Sequence, residues 1–177
     1  MKGALKVDSR LASGTRMAVY WPAVPTPDTA VSEAALEGAG AGETILIVDD
    51  ERELVTLTEE LLASLGYEPV GFSDARAALD AFRRNPGRFD AILTDERMQP
   101  LGGLELAERI HEIEPRVPII LMTGHRDADI DGRARSGEIA EILDKPLRVQ
   151  TLRRVLASQL REKTELTPRR GAPDSAS

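Results

Sequence analysis

Five side chains able to do polar chemistry stand just past apolar runs in this 177-residue chain. Asp49 and Asp50 follow Ile45-Leu46-Ile47-Val48, Asp95 follows Ala91-Ile92-Leu93-Thr94, Thr123 closes Ile119-Ile120-Leu121-Met122, and Lys145 follows Ile142-Leu143-Asp144. Neighbouring carboxylates at the end of a buried strand are costly. Two of them ~4 Å apart at an effective dielectric of ~20 repel by roughly 4 kcal/mol. Either they point apart into water or a cation joins them. A carboxylate set with no His or Cys among it suits a hard ion, magnesium or manganese rather than zinc. One carboxylate can instead act as a nucleophile. A lysine and a hydroxyl would then hold the oxygens of a transferring phosphoryl group, where charge must be stabilised.

These residues can meet only if strands and helices alternate. Thr44–Val48 reads as a strand buried on both faces. Asp50 suits the cap of a following helix, with Glu51 and Glu53 in its first turn, Leu54, Leu57, Leu61 and Leu65 on its inner face, and Gly66 as its stop. A second strand is expected over 67–72. Ser73 is expected to cap a helix bearing Ala77, Ala78, Leu79, Ala81 and Phe82, ended by Asn85-Pro86-Gly87. Further strands are expected over 90–94, 117–122 and 139–143. The helices between and after them are expected over 104–113, 126–136 (short and polar) and 149–160, the last with Leu152, Val155, Leu156 and Leu160 inward. Alternation with short loops implies an α/β fold with a five-stranded parallel sheet wrapped on both faces. Such sheets gather ligand groups at the carboxyl ends of their strands, so Asp49, Asp50, Asp95, Thr123 and Lys145 fall on one rim.

Composition narrows the function. Net charge is −7, which argues against a nucleic-acid surface. Hydrophobic residues make up 41%, enough for a core, while aromatics are only 3% and cysteines absent. Thiolate metal sites, Cys nucleophiles and disulfides are thereby excluded, in keeping with a reducing cytoplasm. No apolar run reaches the ~20 residues that cross a bilayer. Residues 23–43 are rich in Ala, Gly and Pro and are expected to be a linker, and residues 161–177 a disordered tail.

Over residues 44–160 these pieces resemble the receiver domain of two-component response regulators. The resemblance is carried by Asp49-Asp50, Asp95 in Leu93-Thr94-Asp95-Glu96-Arg97-Met98, Thr123-Gly124 and Lys145-Pro146. It implies a doubly wound, flavodoxin-like sheet of strand order 2-1-3-4-5. It implies that Asp95 accepts a phosphoryl group from a histidine kinase or histidine phosphotransfer protein. Asp49, Asp50, Asp95 and the backbone carbonyl of Arg97 would hold Mg2+, and Thr123 and Lys145 would contact the phosphoryl oxygens. Two positions depart from the family. Proline comes one place late in Met98-Gln99-Pro100, where Gly102-Gly103 should keep the loop flexible. Ile142 stands where the family often has an aromatic that swings inward with the threonine. Residues 1–22 resemble the last hairpin of a sensor histidine kinase ATP-binding domain, with Gly14-Thr15 at the turn and Trp21-Pro22 at the end. The nucleotide-binding boxes are absent, so neither ATP binding nor autophosphorylation is expected. The resemblance then implies the C-terminal part of a hybrid histidine kinase, and with no output domain expected after residue 160 its signal is expected to be a protein–protein event.

Two rival readings are a phosphorylation-independent receiver-like interaction module and a magnesium-dependent phosphohydrolase. The second wants an acid two residues after the nucleophile, where this chain has Arg97. His111 is expected to be an exposed helical residue, and His125 to lie at the mouth of the site. Arg153, Arg154, Arg161, Arg169 and Arg170 are expected to be solvated.

Overall fold

The computed structural model describes residues 4–10, 14–20, 40–126 and 128–166, in two compact units divided after Ala34. The first unit contains a two-stranded antiparallel hairpin, β1 (Ala4–Arg10) and β2 (Gly14–Tyr20), in which Ser9 pairs with Thr15 and Arg10 with Gly14. A hairpin over residues 1–22 is what the sequence suggests. Trp21-Pro22, most of the expected linker and residues 167–177 lie outside the described residues.

The second unit carries strands β3 (Thr44–Val48), β4 (Glu68–Phe72), β5 (Ala91–Asp95), β6 (Ile119–Thr123) and β7 (Glu141–Asp144). They form one parallel sheet in the order β4-β3-β5-β6-β7, which is 2-1-3-4-5 counted within the unit. The connecting helices are α1 (Arg52–Ser64), α2 (Ala75–Arg84), α3 (Gly103–His111), α4 (Ala128–Ser136) and α5 (Val149–Leu166). Side chains alternate along each strand. Leu46, Val48, Ile92 and Leu121 pack against Leu79 and Phe82 of α2, Leu106 and Ile110 of α3 and Ile130 of α4. Ile45, Ile47, Leu93, Ile120 and Met122 pack against Leu62 of α1 and Leu152, Val155, Leu156 and Leu160 of α5. Both faces are covered, which explains the continuous apolar runs over 45–48, 91–93 and 119–122.

Several expectations need correction. The cap of α1 is Glu51, not Asp50, and no side chain caps it; the buried Asp49 accepts the Glu51 N–H instead, at 3.0 Å. The residues α1 buries fully are Val55, Thr58 and Leu62; of the expected leucines, Leu61 and Leu65 pack against the core from its margin, Leu54 is half-buried and Leu57 is 62% exposed. Asp74, not Ser73, caps α2, its carboxylate accepting the Arg76 and Ala77 N–H groups. Both residue types are good caps, and composition alone does not choose between neighbours. Gly66 does terminate α1, at φ 89°. The helix expected to end at 160 continues to Leu166, where Lys163 donates to the carbonyls of Phe89 and Asp90 and to the Asp90 carboxylate. His111 is half-buried and its Nε2 lies 3.1 Å from the Val117 carbonyl, so it ties α3 to the approach of β6 and is not a free surface histidine.

Candidate functional site

Strand register sets the rim. Val48 is level with Thr94, Asp95 with Met122, and Thr123 with Asp144. Asp49, Asp95, Thr123 and Lys145 therefore emerge side by side where the β3, β5, β6 and β7 ladders stop. Asp49 and Asp95 are buried, with side chains 3% and 10% exposed. Asp50, next along, is exposed.

The cation that joins the two buried carboxylates is Lys145. Its Nζ lies 2.8 Å from Asp49 Oδ2 and 2.6 Å from Asp95 Oδ1. Its backbone N–H is held by the Thr123 carbonyl at 2.8 Å, and the Lys145–Pro146 peptide is cis. Burial pulls the lysine pKa down, but hydrogen bonds to Asp49 and Asp95 and the charges of both carboxylates outweigh it, so the ammonium titrates above its ordinary value. The other oxygens of the pair are occupied by backbone: Asp49 Oδ1 accepts from Glu51 N–H, and Asp95 Oδ2 from Arg97 N–H at 2.9 Å.

Thr123 is 1% exposed, and its hydroxyl is fully engaged. It lies 2.5 Å from Glu96 Oε2 and 2.7 Å from the His125 carbonyl, and it accepts the His125 N–H at 3.0 Å. Glu96 and Arg126 are the participants that sequence reasoning missed. The signal for Glu96 was its place beside Asp95 at a strand end, where successive side chains point opposite ways. Arg126, one residue past His125, donates from Nε to Asp144 Oδ1 and from an Nη to the Ile142 carbonyl, both at 2.8 Å. It covers the free edge of β7 over the position where Ile142, 5% exposed, replaces the aromatic.

Among the described residues no three His, Cys, Asp or Glu side chains converge into a cluster able to hold a metal on their own. Magnesium does not need one, because it takes one or two carboxylates and keeps several waters. An all-oxygen pair of buried carboxylates with exposed Asp50 beside it has donor chemistry that fits that ion.

The response regulator receiver domain family profile matches residues 45–157. The chain belongs to this receiver family. Among relatives, the receiver resembles part of the autoinducer 1 sensor kinase/phosphatase LuxN of Vibrio campbellii, 28% identical over 92% of this chain and 21% of LuxN. It also resembles the transcriptional regulatory protein FixJ of Bradyrhizobium diazoefficiens, 33% identical over 67% of this chain and 57% of FixJ. The chain thus spans about a fifth of the first relative and little over half of the second. A receiver domain from Clostridium thermocellum superposes with a TM-score of 0.67 at 30% identity, covering 71% of this chain and 99% of that one. A CheY-like receiver from Methanospirillum hungatei gives 0.64 at 26% identity, covering 70% and 98%. The receiver fold and the two-component family expected from the sequence are both borne out. No described helix is long and apolar enough to cross a membrane.

Proposed function

We propose that this receiver is a phosphoacceptor: Asp95 takes a phosphoryl group from a phosphohistidine on a kinase or phosphotransfer protein, with magnesium, and signals through protein contacts. The observation that carries the reading is Lys145, a buried-facing ammonium within hydrogen-bond distance of both Asp49 and Asp95. In the transfer, an Asp95 carboxylate oxygen forms the new O–P bond while the N–P bond breaks, and the donor imidazole keeps the electron pair. Lys145 stands ready to follow the charge from carboxylate to phosphoryl oxygens, and Thr123, at the end of the neighbouring strand, would supply a hydroxyl donor. Asp49, Asp50, Asp95 and the Arg97 carbonyl would hold the magnesium ion, which neutralises charge on the transferring oxygens. A cleft of about 490 Å³ beside Asp49 and Lys145, lined by Leu54, Leu57, Leu61 and Leu147, offers an apolar seat for a partner helix.

A second part of the reading is that the chain belongs to a hybrid sensor kinase of the cytoplasm and carries the end of its ATP-binding region before the receiver, without ATP chemistry of its own. The β1–β2 hairpin supports it, as does a LuxN similarity spanning 92% of the chain, well beyond the receiver. A reading frame upstream of Met1 that encodes nucleotide-binding boxes is the expected genomic result.

Acetyl phosphate and magnesium should add one phosphoryl group to the intact protein, on Asp95, and Asp95→Ala should abolish the addition. An unmodified wild-type mass, together with no magnesium binding at millimolar levels, would establish the phosphorylation-independent module in its place.

A further inference from the structure

The Thr123 hydroxyl has one proton and two acceptors competing for it, the Glu96 carboxylate at 2.5 Å and the His125 carbonyl at 2.7 Å. A hydroxyl beside a carboxylate donates to it preferentially, because charge-assisted hydrogen bonds are about twice as strong as neutral ones. Glu96 is well placed to hold on. Its backbone N–H donates to the Met122 carbonyl at 2.9 Å and its carbonyl accepts from Gly103 N–H at 3.0 Å, so both ends of the residue are fixed to the sheet and to α3. Its side chain is 15% exposed. An incoming phosphoryl group needs the same threonine proton, and it meets a carboxylate of like charge already bound to it. Arg97 pairs loosely with the same oxygen, its Nε 3.7 Å from Glu96 Oε2 on a side chain that is 72% exposed, so the carboxylate keeps a charge partner when the threonine leaves it.

We propose that Glu96 is a positioning residue that holds the Thr123 hydroxyl away from Asp95 and competes with phosphoryl oxygens for its proton. Phosphoryl uptake then requires Glu96 to release Thr123, leaving Arg97 as its charge partner. This inference rests on the phosphoacceptor reading of Asp95. In the resting molecule Glu96 stabilises the site; during transfer it opposes the product.

The full chain, its Glu96→Ala and its Glu96→Gln variants are compared for beryllofluoride affinity in the presence of magnesium, for the initial rate of acetyl phosphate modification, and for melting temperature. Glu96→Ala should bind beryllofluoride roughly tenfold tighter and be modified roughly tenfold faster, the lower range for a lost hydrogen bond to a charged group. Its melting temperature should be unchanged or lower. Simple structural damage would lower affinity and stability together, so a gain is the diagnostic result. Wild-type-like or weaker beryllofluoride affinity in Glu96→Ala would overturn the proposal. Should that variant lose its melting transition, Glu96→Gln, which conserves size, decides on the same criterion. A wild-type protein that takes up neither probe overturns the acceptor reading of Asp95 itself, a result distinct from an active wild type with indifferent variants.

Discussion

At the scale of single residues, charge placement sets what this molecule tolerates. Asp49 and Asp95 sit 2% and 7% exposed, a position carboxylates occupy only when paired. Lys145 supplies the pairing, and its raised pKa keeps the ammonium charged throughout the neutral range. Tyr67 is a second buried titratable group whose pKa is raised, with burial as the leading cause. Burial raises its pKa first, the Glu43 charge raises it further, and Arg153 partly offsets both. A folded pKa above the unfolded value means a contribution that is complete below the unfolded pKa and lost as pH climbs through the folded one. The wild type should therefore keep its urea resistance up to tyrosine's ordinary value near about 10 and lose it as pH climbs above that value. Tyr67→Phe should lose less over the same span. Equal losses in the two proteins, from denaturation midpoints at each pH, would contradict the assignment.

At the scale of elements, the acceptor strand is positioned by a helix start. A Cβ on Gly103 would lie 2.0 Å from the Asp95 carbonyl oxygen and 2.9 Å from its carbon. Glycine at this position is a requirement of close approach between α3 and the end of β5; the loop flexibility expected of Gly102-Gly103 is not its role. Gly103→Ala must push α3 off the strand that carries Asp95. Overpacking of this kind costs about 2 kcal/mol, or roughly 5–10 °C in melting temperature. Gly102→Ala is the contrast, since the nearest foreign atom to its Cβ is the Glu96 carbonyl at an ordinary 3.5 Å. Calorimetry should rank Gly103→Ala well below Gly102→Ala, and comparable melting points would refute the close-approach argument. The free edge of β7 is managed in a similar local way, by Arg126 bonding the Ile142 carbonyl that an edge strand would otherwise present to other chains.

At the scale of the whole molecule, the chain divides after Ala34 into a hairpin-bearing unit and the receiver. A two-stranded hairpin alone is marginal in water, whereas a sheet covered on both faces is not. The receiver should fold without the hairpin. Removing residues 1–34 is expected to leave its melting temperature within about 2 °C, less than a 1 kcal/mol change would produce, and to leave Asp95 modification by acetyl phosphate unchanged. A large loss of either would show that the first unit contributes to the receiver's stability or site.

Much of this was legible in the chain because parallel α/β architecture converts local pattern into position. A short apolar run followed by a polar residue is a strand end, and all strand ends of a parallel sheet share one rim. Asp49, Asp95, Thr123 and Lys145 were therefore assignable to one site before any distance was known. The inward face of α5 was fixed similarly by Leu152, Val155, Leu156 and Leu160. What the tertiary structure decided is which groups touch. The ammonium between Asp49 and Asp95, the Glu96 carboxylate on Thr123, and the contact at Gly103 depend on strand twist and loop path over tens of residues. Neither spacing nor residue type encodes those distances. The same reason separates Asp74 from Ser73 as a cap and turns Leu57 outward: local signals one residue apart are equivalent until packing of the helix against the sheet selects one.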